Sequence, residues 1–310
     1  MVRTTRPPRT PARRAFTLVE LLVVIGIILL LVSLSVVAIM KAFGYQQRRN
    51  TETMIAKVNQ AFQKQWIRVV DMAKNEKPSP QAQALSGGDS RRAQVIHVKL
   101  RLAQMFPTSF WEAKNAVLGA NPAYTRALAN ASTTGRTWQD ESSACLYMAL
   151  KQSIRGGDFD PDTALSSQEV RDPLGDGIKE IYDGWGNPIV FSRMPGVSWY
   201  NGTIGADSAF LLVQDLNTKA YLLNPGQTVS GSTVTPTTTG NDPVDPENLL
   251  ADSAWVTANS TTYVGATGLH LHPVFPGANY NLKPMIVSLG PDNTINAFTG
   301  DDVYSFQVTP

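Results

Sequence analysis

Ala15-Phe16-Thr17-Leu18-Val19-Glu20-Leu21-Leu22-Val23-Val24-Ile25-Gly26-Ile27-Ile28-Leu29-Leu30 sets a single carboxylate inside an otherwise apolar run. From Phe16 to Met40 the sole ionisable side chain is Glu20. As a helix those 25 residues extend about 37 Å, enough to cross a hydrocarbon core of about 30 Å with some tilt. The segment therefore reads as a membrane span. A carboxylate in such a span needs a partner or a route to water. The nearest cations in this chain are Arg13 and Arg14, just upstream. The alternatives are a cation from another molecule, or snorkelling of Glu20 to the headgroups.

The flank orients the span. Arg3, Arg6, Arg9, Arg13 and Arg14 precede it with no acid among them, and a basic leader stays on the cytoplasmic side. In a secretory signal the small-residue cleavage site follows the apolar region. Here Ala15 precedes it, so a cut at that point removes the leader and keeps the anchor.

Arg13-Arg14-Ala15 followed by Phe16-Thr17-Leu18-Val19-Glu20-Leu21-Leu22 resembles the amino-terminal signal of type IV pilins and of type II secretion pseudopilins. The resemblance covers about the first 50 residues. It implies cleavage by prepilin peptidase between Ala15 and Phe16, methylation of the new terminus, and pairing of Glu20 with the amino terminus of a neighbouring homologous subunit. Ala15 stands where the family usually has Gly. The implied location is the inner membrane, single-pass, with a cytoplasmic amino end, an extracytoplasmic globular part, and membrane lipid and an inner-membrane assembly platform as further partners. A subunit out of register would leave Glu20 unpaired in lipid, so pairing acts as a register check.

Beyond Met40 the pattern turns amphipathic with no turn signal. Met54, Val58, Phe62, Trp66, Val69 and Ala73 recur every three or four residues, so the helix is expected to run on to about Asn75, ahead of Pro78 and Pro80. Gly26 and Gly44 are candidate bends. The expected divisions are a leader over 1–15, a membrane helix over 16–40, its amphipathic continuation over 41–75, a mostly helical region over 76–182, and a β-rich region over 183–310. Arg91 to Met105 and Asp140 to Ile154 are the best helical segments of the third stretch. Strand candidates are Ile189 to Ser192, Phe210 to Val213, Ala220 to Leu223 and Met285 to Leu289. Residues 225–262, rich in Thr, Ser, Gly and Pro, read as an exposed loop. The fold class is α+β: a long amino-terminal helix on a globular domain with a helical insert and a small antiparallel sheet, as in pilin-like proteins.

Composition narrows the function. The chain has 310 residues, 43% of them hydrophobic, enough for an anchor and a real core. Without the leader it carries 22 basic against 25 acidic residues, which argues against nucleic acid as a partner of the folded part. Cys145 is the lone cysteine and reads as a small buried apolar residue. No phosphate loop, nucleophile elbow or Cys/His cluster appears, so the sequence gives no case for an enzyme.

One carboxyl-terminal stretch invites a metal. Asp292, Asp301 and Asp302 fall within eleven residues beside turn glycines, and they repel each other unless solvated or bound to a hard cation. Asp183-Gly184-Trp185-Gly186-Asn187-Pro188, then Ser288-Leu289-Gly290-Pro291-Asp292, then Asp301-Asp302 resemble the corresponding segments of major pseudopilins. There the loop holds a structural calcium, which implies Asp292, Asp301 and Asp302 as side-chain ligands and Leu289 as a carbonyl ligand. The long span between the Trp185 segment and the loop departs from the compact members. A second acidic run, Asp158 to Glu169, has EF-hand spacing but carries Thr163 where Gly is needed, and reads as a turn and helix start. His270 and His272 would share one side of a strand; His97 reads as a surface or packing residue. The leading function is a pilin-like subunit (pseudopilin) of a type II secretion-type filament. The alternatives are a minor type IV pilin for adhesion or DNA uptake and, from another class, a membrane-tethered hydrolase or binding module.

Overall fold

The computed structural model describes residues 18–116, 118–132, 135–152, 159–193, 227–230, 233–236, 244–247, 249–251, 284–294, 302–305 and 308. The chain divides into two units, residues 1–46 and 47–310. The described elements are α1 (Leu18–Asn75), α2 (Pro80–Leu85), α3 (Ser90–Met105), α4 (Phe110–Lys114), α5 (Pro122–Ala127), α6 (Trp138–Lys151), α7 (Pro161–Ala164), β1 (Val170–Arg171), β2 (Glu180–Ile181), β3 (Val190–Ser192), β4 (Gln227–Ser230), β5 (Thr233–Pro236), β6 (Met285–Ser288) and β7 (Val303–Tyr304). This is an α+β arrangement with a long apolar amino-terminal helix and a small antiparallel sheet.

In the first unit the described hydrophobic side chains of α1 are exposed all round, from Leu18 through Ile25 and Leu31 to Val36, and again at Ile39 and Met40. The helix is long and apolar enough to cross a membrane. The hydroxyls within it turn inward: Ser33 and Ser35 donate to the carbonyls of Leu30 and Leu31, both at 2.8 Å. That back-bonding leaves no hydroxyl seeking water in an apolar surround. The helix runs unbroken through Gly26 and Gly44.

The second unit builds its core on the amphipathic part of α1. Met54, Ile55, Val58, Phe62, Trp66, Val69 and Ala73 are buried, the spacing expected of one helix face. Phe62 is central to them, with ring centroids 4.9 Å from Phe106 and 4.8 Å from Phe191, so α1, the end of α3 and β3 meet at one aromatic cluster. Local chemistry starts each short helix. Asp89 accepts the amides of Arg91 and Arg92 at the head of α3, Ser109 that of Glu112 for α4, and Asn121 that of Ala123 for α5. Thr137 and Asp140 form a capping box at the start of α6.

Helix α6 ties the helical part to the strands. Ser143 Oγ donates to the Ile181 carbonyl at 2.7 Å and accepts the Ile181 amide at 2.8 Å. Ser142 does the same for Phe191, at 3.0 and 2.9 Å. Two serines thus bond strand backbone groups on the buried side of the strands, the Ile181 carbonyl also accepting the Ile189 amide at 3.0 Å. Strands β3, β6 and β7 form a three-stranded sheet in that order, β6 in the middle. Val190 pairs with Val287, and Ser288 with Val303, all antiparallel.

The differences from expectation are local. Strand begins before Asp183: β1 and β2 pair antiparallel inside the stretch read as helical, and at two residues each they carry no period for a pattern to show. The stretch 225–262 is not all exposed loop. Within it β4 and β5 pair, Val229 opposite Val234, on β-branched residues flanking Gly231-Ser232. Val244, Asp245 and Leu250 are buried, Asp245 accepting the amides of Leu249 and Leu250. The expected strands at Phe210 to Val213 and Ala220 to Leu223 lie outside the described residues, as do His270 and His272.

Candidate functional site

Two places hold the residues singled out from the sequence. The first is the start of α1. Ala15 and Phe16 lie outside the described residues; Glu20 falls in the first described turn of the helix, exposed among exposed apolar neighbours. A helix apolar on all faces is covered by lipid or by other protein when it is in place.

The second place is the end of the three-stranded sheet, where two motifs far apart in sequence come together. Asp183 to Asn187 form the turn from β2 to β3: the Asp183 amide donates to the Asn187 carbonyl at 2.8 Å, and Gly186 takes φ 93°, a conformation glycine adopts without strain. Asp183 Oδ1 accepts the amides of Trp185 and Asn187, both at 2.9 Å. Its Oδ2 accepts the Ser288 hydroxyl at 2.7 Å. Asn187 Nδ2 donates to the Gly290 carbonyl at 2.6 Å. The Asp-Gly-Trp-Gly-Asn-Pro and Ser-Leu-Gly segments are therefore hydrogen-bond partners despite the insertion between them. Burial pushes the Asp183 carboxyl above its usual range, against the Ser288 hydroxyl and the turn amides that favour the charged form.

The expected calcium ligands are placed in part. The Ser288–Val303 pairing puts Leu289 and Asp302 opposite one another just past the last paired position of the ladder. Asp302 is buried, and its Oδ2 accepts the Tyr304 hydroxyl at 2.7 Å. Asp292 is exposed on the turn beyond Gly290, its Oδ1 accepting the Thr294 amide at 2.9 Å. Asp301 lies outside the described residues. Asn293, at φ 52°, has a buried Oδ1 with no hydrogen-bond partner among the described residues. Among those residues no three His, Cys, Asp or Glu side chains converge to hold a metal. What the loop offers a hard cation is oxygen of the right kind: the Asn293 amide oxygen, the Leu289 carbonyl and the Asp302 carboxylate.

The second acidic run is a helix start. Asp160 caps α7, Lys151 bridges Asp160 and Asp162, both at 2.8 Å, and Lys179 pairs with Asp162 at 2.9 Å. The Lys151 ammonium and its neighbours hold the Asp162 carboxyl well below the usual range. His97 is a packing residue, buried on α3, with Nδ1 accepting the Ser79 amide at 3.2 Å and Nε2 3.1 Å from Glu76. Cys145 is buried on α6, and burial pushes its thiol well above the ordinary range.

Sequence reasoning missed three sites. Thr51, buried in α1, accepts the Gly184 amide through Oγ1 at 2.9 Å. Arg193 is fully buried and paired with Glu112 at 2.5 Å, also donating to the Phe106 carbonyl. Arg136 pairs with Glu180, both side chains inaccessible or nearly so, and with the partly exposed Asp176. Each joins residues 40 or more apart, which no local pattern signals. Comparison with protein-family models, with curated proteins and with solved structures finds no match.

Proposed function

We propose that the chain is a pilin-like structural subunit, a pseudopilin. Prepilin peptidase cuts it between Ala15 and Phe16, lipid holds it in the inner membrane with its domain on the extracytoplasmic side, and an assembly platform polymerises it through α1 into a type II secretion-type filament. The observation that carries this reading is the apolar part of α1, exposed on every face from Leu18 to Val36 and again at Ile39 and Met40, with Glu20 its sole ionisable side chain. Such a surface has two coverings available, lipid before assembly and the helices of other copies after it. Glu20 makes the second covering selective, because it is neutralised when the new terminal ammonium of a neighbouring subunit reaches it. The reading includes calcium as a structural ion of the domain, supported by the position of Leu289 opposite Asp302 at the end of the ladder and by the buried Asn293 Oδ1.

The tethered-hydrolase alternative gains nothing from a groove beside α3 lined by described residues. That groove, about 300 Å³ between α3 and residues 244–249, is floored by Val95 and Val98, and its carboxylates are engaged: Asp245 caps backbone amides and Glu247 pairs with Arg91 at 2.8 Å.

The test is Glu20→Ala in the full chain. Membrane insertion is expected to be retained, since a costly charge is removed, while incorporation into filaments falls by tenfold or more. Normal incorporation of that variant would mean that Glu20 merely snorkels, and the reading would fail.

A further inference from the structure

Gly184 is seated against the helix with no room for a side chain. A Cβ there would lie 2.5 Å from the Gln47 carbonyl oxygen and 3.0 Å from Thr51 Oγ1, distances that real Cβ atoms avoid. Thr51 joins both sides of this seat: its hydroxyl donates to the Gln47 carbonyl at 2.9 Å and accepts the Gly184 amide at 2.9 Å. It is also the first buried residue of α1 among the described residues, so the seat lies where the helix begins to be covered. From Gly184 the bonds continue without a gap. Asp183 holds the Ser288 hydroxyl, Asn187 holds the Gly290 carbonyl, and Ser288 Oγ accepts the Gly290 amide at 3.3 Å.

We propose that the Asp183–Asn187 turn is a strap that couples the point where α1 becomes buried to the end of β6, so that these three segments open and close as one cooperative unit. The strap is built from buried polar groups. Asp183, Ser288 and Thr51 are each 3% exposed or less, so breaking one bond leaves its partners unsatisfied and weakens the next. The segments are distant in sequence, Thr51 from Gly184 by 133 residues and Asp183 from Ser288 by 105. Their coupling is therefore a property of the folded state and not of chain proximity. It holds whether or not the chain assembles into a filament, and in a filament it would carry axial load from helix to sheet.

Amide hydrogen exchange on the full chain in detergent reads this directly. Thr51→Val removes the hydroxyl at nearly constant shape and is expected to speed exchange about tenfold both over 183–192 and over 285–292, while 95–105 on α3 keeps its wild-type rate. Thr51→Ser keeps the hydroxyl and is expected to exchange within twofold of wild type at all three places. Faster exchange that stops at 183–192, or that spreads equally to 95–105, overturns the strap. Should Thr51→Val lose its helical circular dichroism, Gly184→Ala carries the same comparison through its clash with Gln47, with the same two outcomes decisive.

Discussion

Truncating Asp183 to Ala attacks the place where the two motifs meet. The carboxylate is 3% exposed and accepts three hydrogen bonds, from the amides of Trp185 and Asn187 at 2.9 Å and from the Ser288 hydroxyl at 2.7 Å. Alanine leaves all three donors facing a space that held their acceptor. An uncompensated buried donor costs about 1–3 kcal/mol, and water entering the vacated space recovers part of that, so the expected loss is about 3–5 kcal/mol. At about 2–4 °C per kcal/mol for a domain of this size class, the midpoint should fall by roughly 6–20 °C. Asp183→Asn keeps Oδ1 for the two amides and lets Nδ2 donate to the Ser288 oxygen, so its loss should stay near 1 kcal/mol, as for one ordinary hydrogen bond. Thermal unfolding of both variants, followed by circular dichroism, makes the comparison. An Ala variant within about 1 kcal/mol of wild type, or an Asn variant as damaged as the Ala one, would show that the turn is held by something other than this carboxylate.

Two further outcomes can be checked on the same domain. Burial pushes Glu180 up to about 7, in spite of the Tyr182 hydroxyl and the Arg136 guanidinium that favour its charge. Between its ordinary 4.5 and that value the folded state holds a proton the unfolded chain has released, so stability should fall as pH rises across this window, by about 3 kcal/mol for a single such group. Urea titrations at either end of the window should show a clearly steeper fall in wild type than in Glu180→Gln, which keeps the contribution of the raised Asp183 carboxyl; an equal slope in both would refute the assignment. Calcium at a hundredfold excess over its Kd should stabilise the domain by about 2.7 kcal/mol, and Asp302→Ala should abolish the response; identical melting with calcium and with chelator would remove the ion from the account.

What the sequence disclosed follows from how far each signal reaches along the chain. Helix α1 was legible because an unbroken apolar run and a period near 3.6 both act locally. It ends at Asn75 as read, ahead of Pro78 and Pro80. Helices α3 and α6 were legible for the same reason, and so were β3 and β6, short runs of β-branched and aromatic residues between turns. Strands β1 and β2 were not: two residues have no period, and what makes them strands is their pairing with each other and the Ser143 hydroxyl on β2. The hairpin β4–β5 was hidden because its Thr and Ser content looks like loop, and the pairing that makes it strand is with its own neighbour. At the site, the Asp183 and Ser288 motifs were each visible. Their contact was not, and neither was Thr51, whose side chain matters through a glycine 133 residues away. The buried pairs Arg193–Glu112 and Arg136–Glu180 were invisible for the same reason: charge in a sequence reads as surface until the fold brings a partner.

Processing of the amino terminus is what assembly through Glu20 requires first, and the intact mass of chain extracted from membranes of its native host tests it most directly. The expected result is a single mature species lacking residues 1–15, with Phe16 at its amino terminus carrying one methyl group. A mature chain that still begins at Met1, or one that starts beyond Met40, would contradict it, since in neither case would a new terminus stand four residues from Glu20 to be matched with a neighbour's carboxylate.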